Sequence, residues 1–138
     1  MYRRILVCVD GSPGDRAIVE HVAELAQAHG SRVCVIRVGT ARPWDAIVRE
    51  PEQIEAYLAG IRSQFAQRGI EAEAVVGHGY PAKVILEQAE ALESDLIAMS
   101  SHGHRWLMDL LLGSVAAQVR HAARVPVLLL RGPTAERA

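Results

Sequence analysis

A chain of 138 residues with half its residues hydrophobic is long enough to bury a core, and with a single Phe that core is aliphatic. A formal net charge of −1 excludes a strong field that would steer nucleic acid or an anionic membrane toward it. No apolar run approaches the roughly 18–20 residues of a membrane span, and the short run Ile5–Val9 before Asp10 reads as a strand, not a signal peptide, so the expected location is cytoplasmic.

The first predicted strand is Arg4 to Val9. Asp10-Gly11-Ser12-Pro13-Gly14-Asp15 then turns the chain. Ser12 and Asp15 are spaced as a capping box, and Pro13 suits a first helical position. Helix one is predicted from Asp15 to His29, with Ala17, Ile18, Val22, Leu25 and Ala26 recurring at intervals of three and four, and Gly30 stops it. Strand two is Arg32 to Val38. Gly39 to Pro51 carries two prolines and Trp44 and reads as a long loop, of a length that often serves function. Helix two, Glu52 to Arg68, places Ile54, Tyr57, Leu58, Ile61 and Phe65 on one face, and Gly69 closes it. Strand three is Ile70 to Val76. Glu71 and Glu73 alternate there with apolar residues, which puts one face or an edge in water.

Gly77 to Tyr80 is a turn, and Pro81 starts helix three, which ends near Leu92. Strand four is Asp95 to Met99. It runs into Ser100-Ser-His-Gly103, and nine residues later Gly113-Ser114 opens helix four, which ends at Ala123. Strand five is Pro126 to Arg131, and a polar tail begins at Gly132. With no internal repeat or linker, residues 1–138 read as one domain.

Strand–helix alternation of this kind predicts an α/β fold: a parallel sheet with helices on both faces and right-handed crossovers. Ligands of such sheets bind beyond the carboxyl ends of the strands, where strand order reverses. The turns after strands one and four are the ones built for a ligand. Small residues let backbone amides approach an anion, and a following helix N-terminus adds unpaired donors and partial positive charge. Pattern alone does not fix the strand order.

The spacing Gly103-x9-Gly113-Ser114 resembles the universal stress protein signature G-x2-G-x9-G-S/T, with Ser100 where the first glycine stands. Ile5-Leu-Val-Cys-Val-Asp10-Gly-Ser12 and Val125-Pro-Val-Leu-Leu-Leu-Arg131 extend the resemblance over nearly the whole chain. It implies a Rossmann-like three-layer sandwich, similar to the adenine nucleotide alpha hydrolases, with strand order 3-2-1-4-5. It implies ATP with Mg²⁺ as ligand. Adenine would lie near Val9, Asp10 and the backbone about Val38, ribose near Met99 and Ser100, and phosphates on Gly103, Gly113, Ser114 and the Val115 amide. It also implies a homodimer through the apolar strand Val125–Leu130. Some members, typically those with a disrupted glycine motif, bind no nucleotide. A serine at position 100 is harmless at negative φ and strained at positive φ. Trp106 in the same loop reads as a plug, a lid or a partner contact.

The remaining candidates are weaker. His102 and His104 flank Gly103, and His78 sits in another turn. The His-x-His pair lacks a Cys or carboxylate at ligand spacing, so no metal site is expected. His21, His29 and His121 fall on helices and are expected at the surface. Cys8 and Cys34 read as small buried hydrophobes. Ser12 is a cap rather than a nucleophile. The P-loop pattern and the dinucleotide fingerprint are absent, and Arg105 is the one formal cation of the glycine loop. The expected function is therefore nucleotide binding in stress signalling with little hydrolysis. A slow ATPase using His102, His104 or Asp109, and a nucleotide-free dimeric interaction protein, are the alternatives.

Overall fold

In a computed structural model, which describes residues 1–39, 51–100 and 115–131, every strand is parallel to its neighbours. The elements are β1 (Arg4–Val9), α1 (Gly14–His29), β2 (Arg32–Gly39), α2 (Pro51–Gln67), β3 (Ala72–His78), α3 (Pro81–Ala91), β4 (Leu96–Ser100), the helical residues 115–122 (α4) and β5 (Val127–Leu130). The sheet order is β3-β2-β1-β4-β5, as the resemblance implied.

The two-residue period of the strands divides the core. Ile5, Val7, Val33, Val35 and Ala98 point to one face, where Ile18 and Val22 of α1 and Leu58, Ile61 and Phe65 of α2 cover them. Leu6, Cys34, Ile36, Ile97 and Met99 point to the other, against Ile85 and Ala89 of α3 and Ala116 and Val119 of α4. Burial on both faces explains why β1 and β4 read as unbroken apolar runs. At the edge, β3 is half-buried along its length except at Glu73 and the terminal His78, which are exposed. At the other edge all four residues of β5 are half-buried, two packing on each face.

Most element bounds differ from expectation by one or two residues. Strand three starts at Ala72 rather than Ile70, because Ile70 is buried beneath the turn that follows α2, where its N–H donates to the Phe65 carbonyl at 2.9 Å. Gly30 takes the left-handed φ of 66° that a side chain resists, and ends α1 as expected. Gly77 serves a different need, close approach: a Cβ there would meet Val84 Cγ1 of α3 at 2.5 Å.

Two expectations fail here. Pro13 occupies the cap position rather than the first turn, and α1 has no side-chain cap, so the Ser12–Asp15 capping box does not form. The Asp15 carboxylate is drawn to other amides, described below. His29 is half-buried rather than exposed: its Nδ1 lies 3.3 Å from the Met1 amino group and its ring stands edge-on to Tyr2, centroids 5.5 Å apart. His21 and His121 are exposed. Cys8 and Cys34 are free thiols facing the α3–α4 side. Burial pushes Cys34 up to about 12 and Cys8 higher still, which favours the protonated thiol at both.

Candidate functional site

The strand order reverses between β1 and β4: from β1 the sheet grows through β2 to β3, from β4 through β5. The chain leaving β1 enters α1 on one face, and α4, which follows β4 in sequence, packs on the other. The carboxyl ends of such strands are where an open α/β sheet is expected to form its ligand crevice. The register sets Cys8 beside Met99 and Val9 beside Arg37, so Asp10, Val38 and Ser100 all come to the carboxyl edge. Val9 and Met99 are buried and apolar; Val38 and Ser100 are half-buried. Glu93 is the one described non-glycine residue with positive φ, so Ser100 carries no left-handed strain, and the conformational freedom of glycine is not required there.

Three of the expected phosphate residues, Gly103, Gly113 and Ser114, lie outside the described residues, as do Trp44, His102, His104, Arg105, Trp106 and Asp109. Val115 is described: it is half-buried against the α3–α4 core. His78 ends β3 and is exposed, with Nδ1 3.5 Å from the Cβ position of Gly39 on β2. No group of three metal-ligating side chains occurs among the described residues.

The turn after β1 is held by its own acids. Asp10 Oδ1 accepts the Ser12 N–H at 2.9 Å, an Asx turn, while Gly11 supplies φ of 83°. Asp15 Oδ1 accepts the Asp10 N–H at 3.1 Å, and its Oδ2 accepts the Gly11 N–H at 2.7 Å and the Tyr57 hydroxyl at 2.5 Å. Asp15 is only 3% exposed. Burial raises its carboxyl to about 6, with the neighbouring Asp10 charge acting in the same direction; the Tyr57 hydroxyl and the Asp10 and Gly11 amides oppose the rise. Tyr57 is raised too, by burial and by giving its proton to the Asp15 bond. The Arg37 guanidinium lies 5.9 Å from the centre of the Tyr57 ring. The Ser12 hydroxyl is buried and has no partner among the described residues.

Asp15, Tyr57 and Arg37 were not among the expected site residues. One signal pointed to Tyr57: a phenol in an otherwise apolar helical stripe needs a partner for its hydroxyl. Nothing local indicated that the partner would be Asp15.

Comparison with known proteins agrees with the fold. The Universal stress protein family model matches residues 1–131. A universal stress protein of Thermus aquaticus is 32% identical over 140 residues, covering 95% of this chain and all of its relative. The Bacillus subtilis universal stress protein YxiE is 28% identical over 148 residues, again 95% and 100% of the two chains. Among solved structures, a universal stress protein in complex with cAMP superposes with TM-score 0.76 at 21% identity over 96% of this chain and 99% of that one. One from Archaeoglobus fulgidus in complex with dAMP gives TM-score 0.71 at 22% identity, over 94% and 98%. One from Arabidopsis thaliana with AMP bound gives 0.68 at 17% identity, over 95% and 92%.

Proposed function

The chain belongs to the universal stress protein family, and we propose that within it this protein binds an adenine nucleotide in the β1–β4 crevice and acts as a stress-response binding module in the cytoplasm. The observation that carries the reading is the placement of Val9, Asp10, Val38, Met99 and Ser100 at the carboxyl ends of β1, β2 and β4, around the point where strand order reverses. Val9 and Met99, buried on opposite faces of the sheet, fix the strand ends from which a base would be held. Asp10 spends Oδ1 on its own turn, and Oδ2 has no bond among the described residues, which suits the exocyclic amine of adenine. Ser100 without left-handed strain keeps the ribose side compatible with the family motif. The cAMP, dAMP and AMP held by the three structural neighbours support the ligand class.

The ligand form we assign is ATP with Mg²⁺, its phosphates on Gly103, Gly113, Ser114 and the Val115 amide. Binding with little turnover follows from the donor set. Backbone amides and one hydroxyl hold ground state and transition state alike, and uniform binding does not raise the catalytic rate. No P-loop lysine is present to neutralise developing charge. Calorimetry with ATP and Mg²⁺ is expected to give one site per chain, and Gly113→Val is expected to abolish the heat while the melting curve persists. A wild-type protein that gives no heat and carries no nucleotide after purification would refute the reading.

We further propose that the active form is a homodimer paired through Val125–Leu130. The β5 edge is apolar and half-exposed on both faces, an open strand that invites pairing about a two-fold axis. Sedimentation at micromolar concentration is expected to give a dimer, weakened by Leu129→Arg; a wild-type monomer contradicts it.

A further inference from the structure

The turn that presents Asp10 to the crevice is fixed from below by a side chain that cannot itself reach a ligand. Asp15 lies under the turn with both carboxylate oxygens committed, one to the Asp10 amide and the other to the Gly11 amide and Tyr57. The amides of residues 10, 11 and 12 are thus all taken by the carboxylates of Asp10 and Asp15. A turn through a glycine of positive φ has broad freedom unless such bonds restrict it. Tyr57 ties the same carboxylate to α2, 42 residues along the chain, and Arg37 of β2 lies over the Tyr57 ring.

We propose that Asp15 is a positioning residue for the nucleotide crevice: it sets the direction in which Asp10 offers its carboxylate, and Tyr57 couples that setting to α2. The proposal rests on reading the crevice as a nucleotide site. The ionised carboxylate accepts three hydrogen bonds. Protonation makes one oxygen a donor, which then faces the Asp10 or Gly11 amide, itself an obligate donor, and can keep Tyr57 only if the hydroxyl turns to accept. The groups facing Asp15 among the described residues are Asp10 on its own turn, Cys8 of β1 and Tyr57 of α2, with Arg37 of β2 behind Tyr57. Cys8 and Tyr57 are raised far above neutrality, whereas Asp15 is raised only to about 6 and changes charge in mildly acidic solution.

The test uses ¹⁵N-labelled full-length protein and cAMP, whose phosphodiester does not titrate between about pH 5 and 8. In the free protein the Asp10 and Gly11 amide resonances are expected to move together with a midpoint near about 6. Asp15→Asn should remove that titration. Tyr57→Phe should move the midpoint upward, since the hydroxyl favours the ionised form. By calorimetry, wild-type affinity for cAMP should fall several-fold from about pH 7.5 to about pH 5. Asp15→Asn should bind about tenfold more weakly at the higher pH, the scale of one charge-assisted hydrogen bond, with a flat profile. If Asp15→Asn does not fold, the shifted midpoint of Tyr57→Phe carries the test in both readouts. Binding by Asp15→Asn equal to wild type, with the same pH profile, overturns the proposal and leaves the nucleotide reading standing. Amides that do not titrate overturn it as well. A wild type that binds no cAMP or ATP at any pH refutes the nucleotide reading itself, and the ligand-positioning role falls with it.

Discussion

Phe65→Ala is expected to lower the unfolding free energy by about 3–5 kcal/mol, the largest loss of any single truncation here. Phe65 is the one Phe of the chain and is fully buried. It sits on α2 within the cluster that joins α1 and α2 to β1 and β2. The same cluster holds the fully buried β-branched residues Val7, Ile18, Val22 and Val35, stiff at χ1 and set on regular elements, so the core is not expected to close the space by rotamer changes alone. A domain of 138 residues has a stability of about 7–20 kcal/mol at typical values per residue, so the variant loses a large share of it. Urea unfolding measures the effect. Phe65→Leu, which keeps most of the volume, should lose much less. A loss below about 1 kcal/mol for the alanine variant would mean that α2 repacks, and that its grip on the sheet is not the one described.

That cluster was largely legible from the residues. Ile54, Tyr57, Leu58, Ile61 and Phe65 recur at helical spacing, and all face the same core. The unbroken runs in β1 and β4 call for burial on both faces, and hence for a parallel sheet between helical layers. The strand order was not readable from pattern, because every permutation of five buried strands satisfies the same periodicity. It came from motif resemblance, and the sheet agrees.

The site divides in the same way. Val9, Asp10, Val38, Met99 and Ser100 were read from the ends of the strands, and the register places them at the carboxyl edge of β1, β2 and β4. The Ser12–Asp15 capping box was a local inference from spacing, and it lost to a long-range competitor. Pro13 holds the cap position in a helical conformation, while Asp15 finds two amides of the preceding turn and a phenol from another helix. Spacing rules cannot weigh a partner 42 residues away. Tyr57 and Asp15 each carry a signal, a polar atom on an apolar stripe and an acid at a helix start. Only the tertiary structure joins them.

The joined pair gives the second large effect, a dependence of stability on pH carried by one residue. The folded carboxyl of Asp15 titrates near about 6, against 3.8 for an ordinary aspartate, because burial disfavours its charge more than its hydrogen bonds favour it. As pH rises, the unfolded chain therefore releases this proton first. Between about pH 4 and 6 the folded state holds more protons, and the unfolding free energy falls with increasing pH. The contribution is complete below the lower value and gone above the upper one. An interval of roughly two pH units corresponds to about 3 kcal/mol as an upper bound. Other acids superimpose their own dependence, so the quantity to measure is the difference between wild type and Asp15→Asn. It is expected to decline by about 2–3 kcal/mol between about pH 4 and 7 in urea-unfolding series. A difference that is flat, or that rises with pH, would mean that the amides and Tyr57 balance or outweigh burial, and it would sink the assignment. The direction bears on function. The ionised form that organises the crevice is the less stable one, so a nucleotide that selects it adds most to stability above about pH 6. The rise in melting temperature on adding cAMP should therefore grow with pH in the wild type and stay constant in Asp15→Asn.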